Sequence, residues 1–126
     1  MMERILIVDD EVHTVRLLQK FLTSKGYEVH TATDGREAVQ KVTEVKPHVV
    51  LLDIIMPGMD GLDTLKEIKK IDSHAAIIMI TAVIDEDMAK KAMQLGAFDY
   101  VTKPFDLDYV ETCVLVKIIQ VLGSDN

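Results

Sequence analysis

The chain is expected to fold as one α/β domain, a doubly wound five-stranded parallel sheet with five helices on both faces. Three observations predict this. Val49-Val50-Leu51-Leu52 is apolar at every position instead of alternating, the pattern of a strand covered on both sides in a parallel sheet. Ile5-Leu6-Ile7-Val8 and Ala75-Ala76-Ile77-Ile78-Met79-Ile80 repeat it, and the three runs are closed by polar residues: Asp53, Asp9-Asp10 and Thr81 respectively. Between the strands lie segments of helical spacing, and a chain that alternates strand with helix builds parallel neighbours through right-handed crossovers.

In chain order, Arg4-Ile5-Leu6-Ile7-Val8 makes a central strand. The stretch from about Val12 to Lys25 has helical spacing at Leu18, Phe21 and Leu22, with Val15 and Leu17 beside them, and stops at Gly26. The stretch from Tyr27 to Ala32 alternates and is β-branched, so it is expected at a wetter position on the sheet edge. Asp34 caps the next helix. Glu37 follows three residues later in the manner of a capping box, Ala38, Val42 and Val45 share a face, and Pro47 ends the helix. After the third strand, Pro57-Gly58 and Asp60-Gly61 signal a turn. Leu62, Leu65, Ile68 and Ile71 then give an amphipathic helix with Lys66, Glu67, Lys69 and Lys70 on its solvated face. The strand ending at Thr81 precedes a helix from about Asp85 to Leu95, stopped by Gly96. A fifth strand runs from Phe98 to Lys103, and a last helix from about Asp106 to Leu122. Residues 1–122 are expected to form the domain, and 123–126 a frayed tail.

Composition narrows the class. With 126 residues, 28% of them charged, the chain has the size of a single domain that buries its own core, and neither disorder nor a membrane span is expected. A net charge of −7 argues against direct nucleic-acid contact by this domain, because phosphate binding needs clustered Lys and Arg. Cys113 is the only cysteine, which excludes an intrachain disulfide and a Cys-based zinc site and fits a reducing, cytoplasmic location. Met1-Met2 is followed at once by charge, unlike a signal peptide. His13, His30, His48 and His74 lack ligand spacing and are expected as surface or boundary residues. Cys113 is expected in the core or on a helix face, and the methionines as gap fillers, with Met88 and Met93 possible exceptions.

In this sheet Asp9, Asp10, Asp53, Thr81 and Lys103 all fall at the carboxyl edge, where open α/β sheets bind ligands. Taken singly, Asp9-Asp10 and Thr81 read as helix caps and Lys103 as a surface lysine. Together they read differently. Three carboxylates in one crevice repel one another and call for a counter-charge, and an oxygen-only donor set with room for water suits Mg²⁺. An Asp beside such a cation, flanked by an ammonium and a hydroxyl, can attack a phosphoryl group and hold it as an acyl phosphate.

Over nearly its whole length the chain resembles a response-regulator receiver domain of two-component signalling. The resemblance rests on Asp9-Asp10, on Asp53 in Leu-Leu-Asp-Ile-Ile-Met-Pro-Gly-Met-Asp-Gly, on Thr81 in Ile-Thr-Ala and on Lys103-Pro104 in Thr-Lys-Pro-Phe. It implies the flavodoxin-like strand order 2-1-3-4-5, Asp53 as phosphoacceptor, and Mg²⁺ held by Asp10, Asp53 and the Ile55 backbone carbonyl, with Asp9 acting through water. It further implies that Thr81 and Lys103 bind the phosphoryl group, that a cis peptide precedes Pro104, and that Tyr100 is a switch aromatic that turns inward as Thr81 moves. By itself Tyr100 reads equally well as a half-buried strand residue. The implied phosphoryl source is a histidine kinase or phosphotransfer protein. The implied readout is the surface of the fourth helix, fifth strand and fifth helix, offered to an output protein or fused domain.

Such a domain is a phosphoacceptor that catalyses its own phosphotransfer and not an enzyme in the usual sense. Leu107, Val110, Val114 and Ile118 suffice to pack the last helix, yet Leu115, Val116 and Ile119 form a second apolar stripe, so a homodimer or docking contact is expected there. Three alternatives remain at this stage: a haloacid-dehalogenase-type phosphatase, a flavodoxin-like cofactor carrier, and a pseudo-receiver that binds without phosphate. The phosphatase would need a second Asp where Ile55 stands, and clustered acids disfavour an anionic FMN phosphate.

Overall fold

The computed structural model describes residues 2–123, with side chains described to residue 120; of the expected tail, Gly123 closes the last helix and residues 124–126 lie outside the described residues. Ten elements alternate as β1 (Arg4–Val8), α1 (Val12–Ser24), β2 (Glu28–Ala32), α2 (Gly35–Val45), β3 (Val49–Leu52), α3 (Gly61–Ile71), β4 (Ala76–Thr81), α4 (Glu86–Gln94), β5 (Asp99–Thr102) and α5 (Leu107–Gly123). The strands form one parallel sheet in the order β2-β1-β3-β4-β5, as expected. Among the described residues no helix is long and apolar enough to cross a membrane.

The doubly apolar strand runs have a simple cause. Side chains alternate across a strand, so Leu6, Val8, Val50, Leu52, Ile77 and Met79 point to one face and Ile5, Ile7, Val49, Leu51, Ile78 and Ile80 to the other. The first face is roofed by Ala38 and Val42 of α2, Leu62, Leu65 and Ile68 of α3, and Ala92 of α4. The second is covered by Leu18 and Leu22 of α1 and by Val110, Val114 and Ile118 of α5. Each large aliphatic so buried contributes about 1.5–3 kcal/mol. The helices therefore hold the sheet from both sides.

Local signals fix the helix ends. The Asp34 carboxylate accepts the Glu37 N–H at 2.8 Å, and Glu37 reaches back to the Thr33 N–H at 2.7 Å, one residue earlier than a standard capping box. Gly26 and Gly96 lie at φ +94 and +104, and the following residues, Tyr27 and Ala97, bond back to the Leu22 and Ala92 carbonyls at 3.2 and 3.0 Å, closing α1 and α4. This is why β2 begins at Glu28 and not at Tyr27: the Tyr27 N–H is spent on α1. At the far end of α3, Ile71 is exposed, so that helix buries one turn fewer than its spacing implies. Met88 packs against the core while Met93 is exposed. Cys113 is buried on the inner side of α5 and donates its thiol to Asp99 at 3.3 Å; burial, then that carboxylate, pushes the thiol pKa up.

One feature of the opposite sheet edge was invisible in the periodicity. Arg4 Nε and Nη2 donate to the Lys46 carbonyl at 3.1 and 2.9 Å, and Nε to Val45 at 2.9 Å, capping the end of α2 where Lys46 is left-handed. The Arg4 N–H in turn donates to His48 Nδ1 at 3.0 Å, which requires an unprotonated nitrogen there. Burial, then the nearby Arg4 charge, holds the His48 pKa below the usual imidazole value. The sign follows. Below about pH 6.5 the unfolded chain takes up this proton more readily than the fold does, so the His48 contribution is present above that pH and lost as pH falls. Urea midpoints are expected to drop between pH 7 and pH 5.5 by more in the wild type than in His48→Asn; equal drops would contradict this.

Candidate functional site

The carboxyl edge of the sheet is pinned before any side chain acts. Asp9 N–H bonds the Ala32 carbonyl at 3.1 Å, Asp53 N–H the Val8 carbonyl at 3.0 Å, and Lys103 N–H the Thr81 carbonyl at 2.8 Å. Each strand tip is thus held by its neighbour, and residues far apart in the chain are brought into register. Carboxylate oxygens of Asp9, Asp10 and Asp53 lie within 4.8 Å of one another. A cleft of about 230 Å³ opens over them, lined by Asp10, Glu11, Asp53, Ile55, Thr81, Ala82 and Lys103.

Within it the roles divide by depth. Asp53 is 6% exposed; its Oδ1 accepts the Ile54 N–H at 2.7 Å and the Ile55 N–H at 3.3 Å, which leaves Oδ2 for Lys103 Nζ at 3.2 Å. Asp9, 3% exposed, takes the Glu11 N–H on Oδ1 at 2.9 Å and Lys103 Nζ on Oδ2 at 2.7 Å. Asp10 is exposed at the mouth. Thr81 is fully buried, its Oγ1 accepting the Val83 N–H at 3.3 Å. Tyr100 is half-buried against the core, and its hydroxyl donates to the Val83 carbonyl at 2.7 Å. It therefore touches the loop that begins at Thr81. The Lys103–Pro104 peptide is cis.

Charge is unbalanced here. Burial raises the Asp9 pKa, with the Lys103 and Glu11 hydrogen bonds opposing it. Burial alone would lower the Lys103 ammonium, yet its hydrogen bond to Asp9 and the charges of Asp53 and Asp9 outweigh that and raise it. Burial, then Asp85 and Asp53, raises the Tyr100 hydroxyl, which stays a donor at neutral pH. Three carboxylates against one ammonium leave the site net negative. Its hard oxygen donors and its open side fit a small divalent cation such as Mg²⁺, with Asp10 and Asp53 facing the cleft.

Three neighbours escaped the motif reading. Gly61, read as a turn former, sits so close beneath the Asp53 backbone that a Cβ would strike its carbonyl oxygen. Glu11 and Ala82 line the cleft beside the named residues. The Asp9–Lys103 contact, shorter than Asp53–Lys103, was also not expected, because sequence places each near Asp53 and says nothing of their mutual distance.

Known proteins resemble the chain in sequence and in fold. The family model for the response regulator receiver domain matches residues 5–114, and the chain belongs to that family. Chemotaxis protein CheY of Thermotoga maritima is 47% identical over 104 residues, covering 82% of this chain and 87% of that one. Regulatory protein AtoC of Escherichia coli is 44% identical over 111 residues, but these span 88% of this chain and only 24% of AtoC. Among solved structures, the CheX-CheY-BeF3-Mg+2 complex from Borrelia burgdorferi matches with a TM-score of 0.84 and 38% identity, over 95% of this chain and 89% of that one. The chain is thus a two-component receiver domain, a CheY-like regulator module and not a conventional enzyme. The phosphatase and cofactor-carrier alternatives fall away.

Proposed function

We propose that residues 1–122 act as a cytoplasmic receiver in which Asp53 takes a phosphoryl group from the phosphohistidine of a histidine kinase or phosphotransfer protein. The observation that carries the reading is the convergence of three carboxylates within 4.8 Å of one another, two of which, Asp9 and Asp53, share the single ammonium at the tip of β5. An Asp53 oxygen attacks phosphorus, the P–O bond forms as the P–N bond breaks, and the departing imidazole keeps the electron pair. Asp10, Asp53 and the Ile55 carbonyl would hold Mg²⁺, with Asp9 acting through water; the ion supplies charge stabilisation on the transferring oxygens. Lys103, already bonded to Asp9 and Asp53, would place its ammonium against those oxygens. Thr81 turns its hydroxyl toward the same group. Tyr100, already bonded to the Val83 carbonyl, follows the loop and biases the surface of α4, β5 and α5 toward an output partner or fused domain. The CheX-CheY complex from Borrelia burgdorferi contains BeF3 and Mg²⁺, which supports such chemistry by analogy.

Incubation with acetyl phosphate and Mg²⁺ followed by intact-mass measurement is expected to yield one phosphoryl adduct, abolished by EDTA. A pseudo-receiver would give none. Ile55 lines the cleft and the Val83 N–H bonds the Thr81 hydroxyl; both side chains are apolar and neither can orient an attacking water, so the adduct is expected to be long-lived. Val83→Glu or Ile55→Asn should shorten its half-life several-fold, and an unchanged half-life would contradict this.

The α5 stripe of Leu115, Val116 and Ile119 is 46%, 40% and 61% exposed, beyond what an isolated soluble helix face requires. Phosphorylation is accordingly expected to shift the protein toward a homodimer through α4, β5 and α5. Light scattering of the phosphorylated form checks it; a monomer at every workable concentration removes the dimer.

A further inference from the structure

The lysines of α3 are not alike. Lys66 and Lys70 are exposed and stand beside carboxylates one turn earlier in the helix, Asp63 at 3.9 Å and Glu67 at 3.2 Å. Lys69 is half-buried and reaches instead to the amino edge of the sheet. Its Nζ donates to the Ala75 carbonyl, just ahead of β4, at 2.8 Å and to the Ser73 carbonyl at 3.3 Å. Its stem lies along Gly96, ahead of β5, where a Cβ would come within 3.1 Å of the Lys69 Cε. Among the described residues this ammonium makes no ion pair. The nearest charge of its own sign is Lys117 of α5, half-buried over the Phe98 ring at 4.6 Å. Burial, then Lys117, lowers the Lys69 pKa, and Asp72 opposes them without prevailing.

A lysine is a nucleophile only as the neutral amine, a form favoured by desolvation and by a neighbouring cation. After one proton is lost Nζ keeps two N–H donors, which match the two carbonyls, and the lone pair faces away from them. We propose that Lys69 is a modification site that takes the acyl group of acyl phosphates, with the Lys117 ammonium attracting the phosphate end of the donor. The Lys69 nitrogen attacks the acyl carbon and the C–N bond forms. The bond from that carbon to the bridging oxygen breaks, inorganic phosphate departs with the electron pair, and the surplus amine proton passes to water. The acetylated product keeps one N–H, enough for the Ala75 carbonyl. The step does not involve Asp53, where the same donor would react at phosphorus.

The experiment incubates the wild type, Lys117→Gln and Lys117→Arg with acetyl phosphate at neutral pH and follows acetyl occupancy at each lysine by peptide mass spectrometry. Lys69 is expected to be acetylated about threefold or more faster than Lys66 or Lys70, because a larger share of it is neutral. A neutral acetyl ester offers no phosphate to Lys117, so the preference should shrink with it. Lys117→Gln should slow Lys69 about threefold or more with acetyl phosphate and leave Lys66 and Lys70 unchanged, whereas Lys117→Arg, which keeps the charge, should retain the wild-type rate. Equal rates at the three lysines, an unchanged Lys69 rate in Lys117→Gln, a loss in Lys117→Arg as large as in Lys117→Gln, or an equal preference with the neutral ester would overturn the assignment. Asp53→Asn should be acetylated at Lys69 like the wild type, so a chain that takes no phosphoryl group still tests this site separately.

Discussion

Gly61→Ala is expected to destabilise the fold by about 3 kcal/mol or more, at the upper end of overpacking substitutions. The added methyl would fall on the Asp53 carbonyl oxygen, 2.5 Å from Ile54 Cα and 2.8 Å from the Asp53 carbonyl carbon. These are backbone atoms and cannot rotate aside. Nor can the segment withdraw freely, because the Gly61 N–H donates to the Ile54 carbonyl at 2.7 Å and ties the start of α3 to the end of β3. The helix-propensity gain of Ala over Gly, about 1 kcal/mol, is too small to offset the clash. Relief must come through a shift of Asp53 itself, so Mg²⁺ affinity and phosphorylation rate should fall with stability. Gly26→Ala is the control: φ is +94 but no atom lies within 4 Å of the new Cβ, so it should cost only about 1–2 kcal/mol and leave the site unaffected. Chemical denaturation of the two variants checks the order, and equal losses would contradict it.

Lys103→Ala is expected to slow phosphorylation by about 100-fold or more, since a positioned cation at the transferring group is lost. Its effect on stability has a distinctive dependence on conditions. The ammonium contacts two carboxylates whose side chains are only 4% and 8% exposed, and removing one partner of a buried charge group costs about 3–5 kcal/mol when the rest stays ionised. Asp9 already has its pKa raised by burial, and loss of the lysine hydrogen bond raises it further. A carboxyl whose folded pKa lies above its unfolded value gives stability that is present at low pH and lost as pH rises through the folded value. In metal-free buffer the destabilisation should therefore be large at pH 7.5 and smaller near pH 5, and Mg²⁺ should restore much of it by replacing the missing positive charge. A loss independent of both pH and Mg²⁺ would contradict this electrostatic origin.

Much of this was legible in the sequence because it depends on local chemistry. Val49-Val50-Leu51-Leu52 announces a doubly covered strand, Asp34 and Glu37 a helix start, and the polar residues closing each strand a common edge. The strand order then brings positions 9, 10, 53, 81 and 103 together. What escaped depends on distance across the fold. Arg4 reaches the carbonyls of residues 45 and 46 and Glu11 lines the cleft, neither with a periodic or motif signal, while Gly61 stands in the motif but its place under Asp53 is not readable from it. Ile71 fits the helical spacing yet is exposed, because a face is buried only as far as its neighbour extends.

Most direct is the location of the phosphoryl group. After exposure to acetyl phosphate and Mg²⁺, borohydride reduction converts an aspartyl phosphate to homoserine, and peptide sequencing by mass spectrometry reads the position. Homoserine at residue 53 in the wild type, and nowhere in Asp53→Asn, is the expected result. Homoserine at Asp9 or Asp10, or an undiminished adduct in Asp53→Asn, would contradict it.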